Sequence, residues 1–131
     1  FTMVHDSKRD RLVYLAAQRS KGPEMHLFDI KAKEWTLASP QGEGCYSRDA
    51  AYVPGQDAVF AHAGSGAFKV YLCTENQWID APAIKGARQG ISEQALTIDP
   101  ETELILFLDV RGFCGPFDLQ AFRLNVETLK K

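Results

Sequence analysis

Short runs of β-branched, aromatic and aliphatic residues alternate along this chain with turns rich in Asp, Gly, Pro and Asn, and the alternation comes round three times. Each unit opens on an acidic turn that leads into an apolar burst: Leu12-Val-Tyr-Leu-Ala16, Ala58-Val-Phe-Ala61 and Leu104-Ile-Leu-Phe-Leu108. Tyr14, Phe60 and Phe107 are read as equivalent, 46 and 47 residues apart. The second half of each unit sets an aromatic seven positions before a large apolar residue, Phe28 before Trp35, Tyr71 before Trp78 and Phe122 before Leu129. Bursts of this length, bounded by turn residues and rich in β-formers, predict strands.

A repeat near 45 residues that contains several short strands is the signature of β-propeller blades, each a four-stranded sheet. Unit two shows all four strands: Arg48 to Val53, Asp57 to Ala63, Phe68 to Cys73 and Trp78 to Ala81. Pro54-Gly55-Gln56, Gly64-Ser65-Gly66 and Thr74-Glu75-Asn76-Gln77 supply its turns, because Pro presets the first turn position and Gly and Asn accept positive φ. The second strands are apolar on both faces, which predicts that each is sandwiched between neighbouring sheets. The expected fold is therefore all-β: three four-stranded antiparallel blades in an open arc, at about 1–43, 44–88 and 89–131. Trp35 and Trp78 are both expected to be buried between blades.

Arg48 opening an inner strand, Asp57-Ala-Val-Phe-Ala-His-Ala-Gly64, Val70-Tyr71 and Asn76-Gln-Trp78 together resemble a kelch repeat. The family places a diglycine after the second strand, then a Tyr and a Trp on the third and fourth. Here the diglycine positions hold Ala16-Ala17, Ala63-Gly64 and Val110-Arg111, and Leu129 stands for the third Trp. The resemblance, kelch-like or galactose-oxidase-like, spans the chain and implies a propeller without implying an activity. Oxidases of the second kind hold copper with two His, two Tyr and a Cys-linked Tyr. Cys45 and Tyr46 are neighbours here, but no His is assigned to their face, so neither copper nor any other cofactor is expected.

Three blades leave two apolar faces and unpaired edges to be covered, since propellers close with about four to eight. The chain is thus expected to be a propeller fragment whose other blades come in cis or from another chain, and on its own it is not expected to be a compact monomer. Composition adds exclusions. A formal net charge of -2, without a basic run, disfavours nucleic acid. No apolar window reaches the roughly 18 residues of a membrane span. Lys8-Arg9-Asp10-Arg11, the densest basic stretch, is expected to be a solvated turn. The three cysteines lack metal or redox spacing; Cys45 and Cys114 fall in loops on one face, where a disulfide is conceivable but not implied. The compartment is left open.

The loops between second and third strands vary in length while the following hairpin keeps its seven, so one face of the disc is variable, and binding residues concentrate on such loops. The candidate binding patch is Arg19, Lys21, Tyr46, Arg48, Arg88, Gln89, Glu93, Arg111 and Phe113. His5, His26 and His62 do not converge, which argues against a shared metal site. Ser7, Ser47 and Ser92 have no His assigned nearby, and Gly64-Ser65-Gly66 is a turn without the context of a nucleophile elbow. Acidic positions Asp6, Asp57, Asp99, Glu101 and Glu103 recur at first turns, where turn chemistry explains them better than calcium. The leading expectation is a non-catalytic kelch-like segment that binds a protein partner or small-molecule ligand through its loop face. The competitors are part of an oxidase or carbohydrate-active propeller with catalytic groups on other blades, and a structural subunit that completes another chain's propeller.

Overall fold

A computed structural model describes residues 1–18, 22–63, 67–83, 93–110 and 117–131. The described residues form three antiparallel sheets, each laid down in chain order from one side to the other. The first contains β1 (Thr2–Asp6), β2 (Arg11–Gln18), β3 (Gly22–Asp29) and β4 (Glu34–Ala38). The second contains β5 (Ser47–Val53), β6 (Ala58–Ala63), β7 (Ala67–Leu72) and β8 (Gln77–Ala81). The third contains β9 (Glu93–Ile98), β10 (Ile105–Val110) and β11 (Phe117–Phe122). The opening strands β1, β5 and β9 lie side by side, so the sheets fan out from a common inner edge.

Among the described residues the third sheet has three strands rather than the expected four. After β11 the chain turns into the one-turn helix α1 (Val126–Leu129), so Leu129 is not the counterpart of Trp35 and Trp78. Asn125 caps this turn by accepting from the Thr128 N–H at 3.2 Å. Leu124 and Val126 are buried in the core shared with the second sheet. Gln56 receives the Val126 N–H at 2.9 Å. Burial of two aliphatic side chains and a satisfied cap thus win over extension of the strand.

The core has two layers. Val4, Val13, Leu15 and Met25 meet Tyr52, Val59, Tyr71 and Trp78 between the first and second sheets. Val53, Phe60, Phe68 and Val70 meet Leu96, Ile105 and Phe107 between the second and third. All six residues of β6 are buried. In β10 buried and half-buried residues alternate. In β2, Val13 and Leu15 are buried while Leu12 and Tyr14 are half-buried. The two-sided burial expected of every second strand therefore holds for β6 alone, because only the middle sheet has a described neighbour on both faces.

Three turn residues fix the register of the repeat. Asp10, Asp57 and Glu103, each between the first and second strands of its sheet, have φ of 49°, 48° and 55°. Counted from them, Tyr14 corresponds to Ala61 and Phe107, and Phe60 corresponds to Val13. The equivalence of Phe60 with Tyr14 is thus one residue out, and in a strand one residue exchanges the faces. Phe60 accordingly points forward to the third sheet, whereas Phe107 points back to the second.

Trp78 is buried at 5% exposure, as expected, but Trp35 is 53% exposed. The two occupy the same place: Phe28 pairs with Trp35 across β3 and β4, and Tyr71 pairs with Trp78 across β7 and β8. Trp78 lies against the first sheet and Trp35 faces outward from it. A strand pattern sets which face a side chain takes, not what stands opposite.

Candidate functional site

The variable ends of the sheets are built by a bulge and by the connection that enters β5. Ser47 pairs with Ala63 and Asp49 with His62, so Arg48 is the extra residue of a β-bulge, turned out to solvent. The Ser47 hydroxyl donates to the Asp49 carbonyl at 2.8 Å and closes the bulge. Upstream, residues 39–46 cross the second sheet's outer strand: Gln41 N–H donates to Asn76 O at 2.9 Å, and Trp78 N–H donates to Gln41 O at 2.8 Å. Gly42 (φ 82°) passes so close that a Cβ there would stand 2.5 Å from the Trp78 carbonyl oxygen. Only glycine satisfies both the left-handed backbone and this approach.

That crossing leaves a cleft of about 410 Å³ whose wall includes Pro23, Gly44, Cys45, Tyr46, Ala67 and Lys69. Tyr46 is 45% exposed at its rim. Lys69 is the fixed cation of the site: its ammonium donates to the Glu43 carbonyl at 2.9 Å and pairs with Asp80 at 3.0 Å. Cys45 is a buried free thiol; Cys114 lies outside the described residues. Burial pushes the Cys45 thiol up to about 11, although Lys69 opposes the shift. It is a poor nucleophile at neutral pH. A second hollow of about 210 Å³ adjoins along Pro23, Gly44 and Cys45 and reaches Leu15, Met25 and Trp78.

On the same end, between the second and third sheets, His62 is 2% exposed and neither ring nitrogen has a hydrogen-bond partner. Its ring packs 5.0 Å from Phe68 and edge-on to Phe107 at 5.6 Å. Burial, and then the charge of Arg48, lower its pKa, with Asp109 acting the other way. This imidazole is held neutral.

Of the sequence-derived patch, Tyr46 lies on the cleft and Arg48 on the bulge, both on the expected face. Glu93 opens β9 opposite Val110. Arg19, Lys21, Arg88, Gln89, Arg111 and Phe113 fall outside the described residues. Lys69 and Ala67 read in the sequence as ordinary strand and loop positions, and Cys45, although placed beside Tyr46 in a face loop, is not in the patch. His26 sits on the outer face of the first sheet, 3.3 Å from Glu24, and His5 reaches Asp10 at 3.2 Å near a first turn. Among the described residues no three His, Cys, Asp or Glu side chains come together in a way that could hold a metal. Among them, too, no helix is long and apolar enough to cross a membrane.

The opposite end carries a different chemistry. Arg9 is not solvated turn decoration: its guanidinium grips Asp57 of the next sheet with two bonds of 2.7 and 2.8 Å and reaches Asp6 at 3.1 Å. Thr74 and Tyr52 also donate to Asp57, at 2.6 and 3.2 Å. Arg9 holds the Asp57 carboxyl far below the usual range, and Asp57 raises the guanidinium in return. One sheet further on, the Gly55 N–H donates to Glu103. Turn chemistry still accounts for Asp99, which accepts from Glu101 N–H and the Thr102 hydroxyl. For Asp57 and Glu103 the carboxylate serves as a clasp between sheets instead.

No protein-family model matches the chain, and no curated relative matches it. Solved structures do. TolB from Acinetobacter baumannii superposes with a TM-score of 0.59 at 16% identity, over 94% of this chain and 29% of that one. A protein from Lactobacillus plantarum superposes at 0.51 and 12% identity, over 87% of this chain and 37% of that one. Both neighbours are of the β-propeller type. The fold of this chain is propeller-like. It spans about a third of the length of the solved chains it matches.

Proposed function

We propose that this chain is a non-catalytic, kelch-like propeller segment that binds a protein partner or small ligand through its loop face. The observation that carries the reading is the cleft beside Tyr46. A half-exposed aromatic and an anchored lysine stand at the mouth of a concave, mainly apolar hollow, Lys69 on β7 and Tyr46 at the entry to β5. That mix of apolar lining and a few placed polar groups is what a recognition pocket requires. The kelch-like assignment is supported by the aromatic pairs on third and fourth strands, Phe28 with Trp35 and Tyr71 with Trp78.

Amide chemical-shift mapping with a library of aromatic carboxylates and short acidic peptides tests this. Shifts are expected to cluster at 43–48 and 67–69 and to vanish in Tyr46→Ala, with the unfolding midpoint unchanged. Shifts that survive Tyr46→Ala, or that map to the outer face of β1–β4, refute it.

A further inference from the structure

The hollow of about 210 Å³ behind the cleft holds a buried donor with nothing to donate to. Trp78, 5% exposed, lines it together with Leu15, Met25 and Ala38. Among the described residues the Trp78 indole N–H has no acceptor. A buried indole ordinarily finds one, because its Nε1–H is a donor only and leaving it unpaired away from water costs free energy. The ring is also fixed. It packs on Tyr71 with centroids 5.4 Å apart, the Trp78 backbone N–H donates to Gln41 O at 2.8 Å, and Gly42 lies against the Trp78 carbonyl. A fixed, unpaired donor in an apolar hollow is a preorganised place for one oxygen atom.

Gly44 marks the way to that donor. A Cβ placed on it would stand 3.4 Å from the indole Nε1 and 3.7 Å from both the indole Cδ1 and the Pro23 Cγ. Pro23, Gly44 and Cys45 line the inner hollow and the outer cleft alike, so the N–H edge of Trp78 lies at the neck between them. Unlike Gly42, Gly44 does not have a positive φ. Its backbone tolerates a side chain, and what its bare Cα keeps open is the neck. On the cleft side, Lys69 is diagonal to Trp78 on the same face of the sheet, since Lys69 pairs with Asp80 and Tyr71 with Trp78.

Resting on the reading of the cleft as a recognition pocket, we propose that its ligand is a small carbonyl compound with a ring-sized apolar body. The ring enters the inner hollow, and the carbonyl oxygen accepts from the Trp78 indole N–H at the Gly44 neck. Size fits: an apolar cavity of about 150 Å³ holds one benzene ring, so the inner hollow takes a phenyl group with a short chain. Carboxylic acids and amides both present the required oxygen. Lys69 favours the acid, whereas the exposed carboxylates of Glu43 and Asp80, 3.7 and 3.0 Å from the Lys69 ammonium, favour the uncharged amide.

The test follows the two indole N–H resonances of the full chain by NMR, with Trp35→Phe to assign them, while 3-phenylpropionate, 3-phenylpropionamide and propylbenzene are titrated in. The acid or the amide is expected to move the Trp78 N–H downfield, to leave that of Trp35 in place, and to bind about three- to tenfold tighter than propylbenzene, as one net hydrogen bond allows. The tighter of the two identifies the head group, and either order upholds the proposal provided that the Trp78 N–H moves. Gly44→Ala sets a methyl group in the neck and is expected to weaken the better probe by about tenfold or more, with the unfolding midpoint unchanged. A Trp78 N–H that stays in place at saturation overturns the proposal, as does propylbenzene binding as tightly as both carbonyl probes, or an unchanged affinity in Gly44→Ala. The probe comparison needs no substitution, so it decides even if Gly44→Ala fails to fold. Shifts at 43–48 and 67–69 with a silent Trp78 N–H sink this proposal and leave the cleft reading standing. A moving Trp78 N–H that ignores Tyr46→Ala does the reverse.

Discussion

Trp78 and Trp35 offer a matched experiment, because they hold the same position in successive sheets and differ in what covers them. At about 200 Å² for a large aromatic side chain and about 25 cal/mol per Å², 5% exposure of Trp78 corresponds to about 5 kcal/mol of burial and 53% exposure of Trp35 to about 2. Both are upper bounds, since unfolded chains already bury part of this area. A cavity term widens the gap. Trp78 is enclosed by Tyr71 and the 39–46 crossing, which cannot collapse far because Gly42 already touches its backbone, whereas water fills the space left by Trp35. Trp78→Ala is therefore expected to cost about 3 to 5 kcal/mol, and Trp35→Ala about 1 to 2. Urea denaturation followed by far-ultraviolet circular dichroism, with unchanged m-values, measures both. Equal costs for the two substitutions would show that the first sheet does not cover Trp78 as described, and would remove the basis for treating the sheets as equivalent.

Asp57 contributes stability as a carboxylate: its folded pKa lies below the unfolded value, so the contribution is present above the ordinary carboxylate range and is lost as pH falls through and below it. Asp57→Asn is expected to flatten the acid limb of the stability profile, and a double-mutant cycle with Arg9→Gln to give a coupling of about 1 to 3 kcal/mol; an acid limb identical to the parent's refutes the clasp. His62 acts in the same direction but in a higher pH window. Its folded pKa lies below the unfolded value of about 6.5, so its neutral form supports the fold above that pH and stability falls as pH drops to 5. His62→Gln should remove this slope, measured by midpoint against pH. Cys45 and Cys73, buried and pushed up to about 11 and about 12, should resist alkylation at pH 8 until denaturant is added, as read by mass of tryptic peptides. Labelling of either in native buffer at the rate of a free thiol contradicts the burial.

Much of the fold was legible because strands and turns are local. The second sheet's strands fall within about one residue of those expected, since Pro54-Gly55-Gln56 and Asn76 mark their ends chemically. Local pattern is blind to neighbours. Phe60 aligns with Tyr14 as an aromatic, whereas the true marker is the left-handed turn acid, whose φ leaves only an Asp or Glu in the sequence. Trp35 carries the burial signal of Trp78 without its cover. Leu129 matched the seven-residue spacing, yet Asn125 and two buried aliphatics made a helical turn. Arg9 looked solvated, because nothing near it in sequence names Asp57 as its partner. Of the candidate site, the positions of Tyr46 and Arg48 near the sheet ends are legible from loop position, while the placement of Lys69 and Cys45 depends on how the 39–46 crossing folds over β7 and β8.

The turn-to-turn clasps of Arg9 on Asp57 and Gly55 on Glu103 give the fan of sheets a hinge pin at one end. Spacing between neighbours is set there, by side chains and backbone that touch, and is indifferent to how many residues the chain spends at the far end before it returns. Lengthening a loop beyond β6 or β10 therefore leaves the pitch of the fan intact. A scaffold pinned in this way can accept grafted peptides at its open end as readily as a hand can hold objects of different size without moving the wrist.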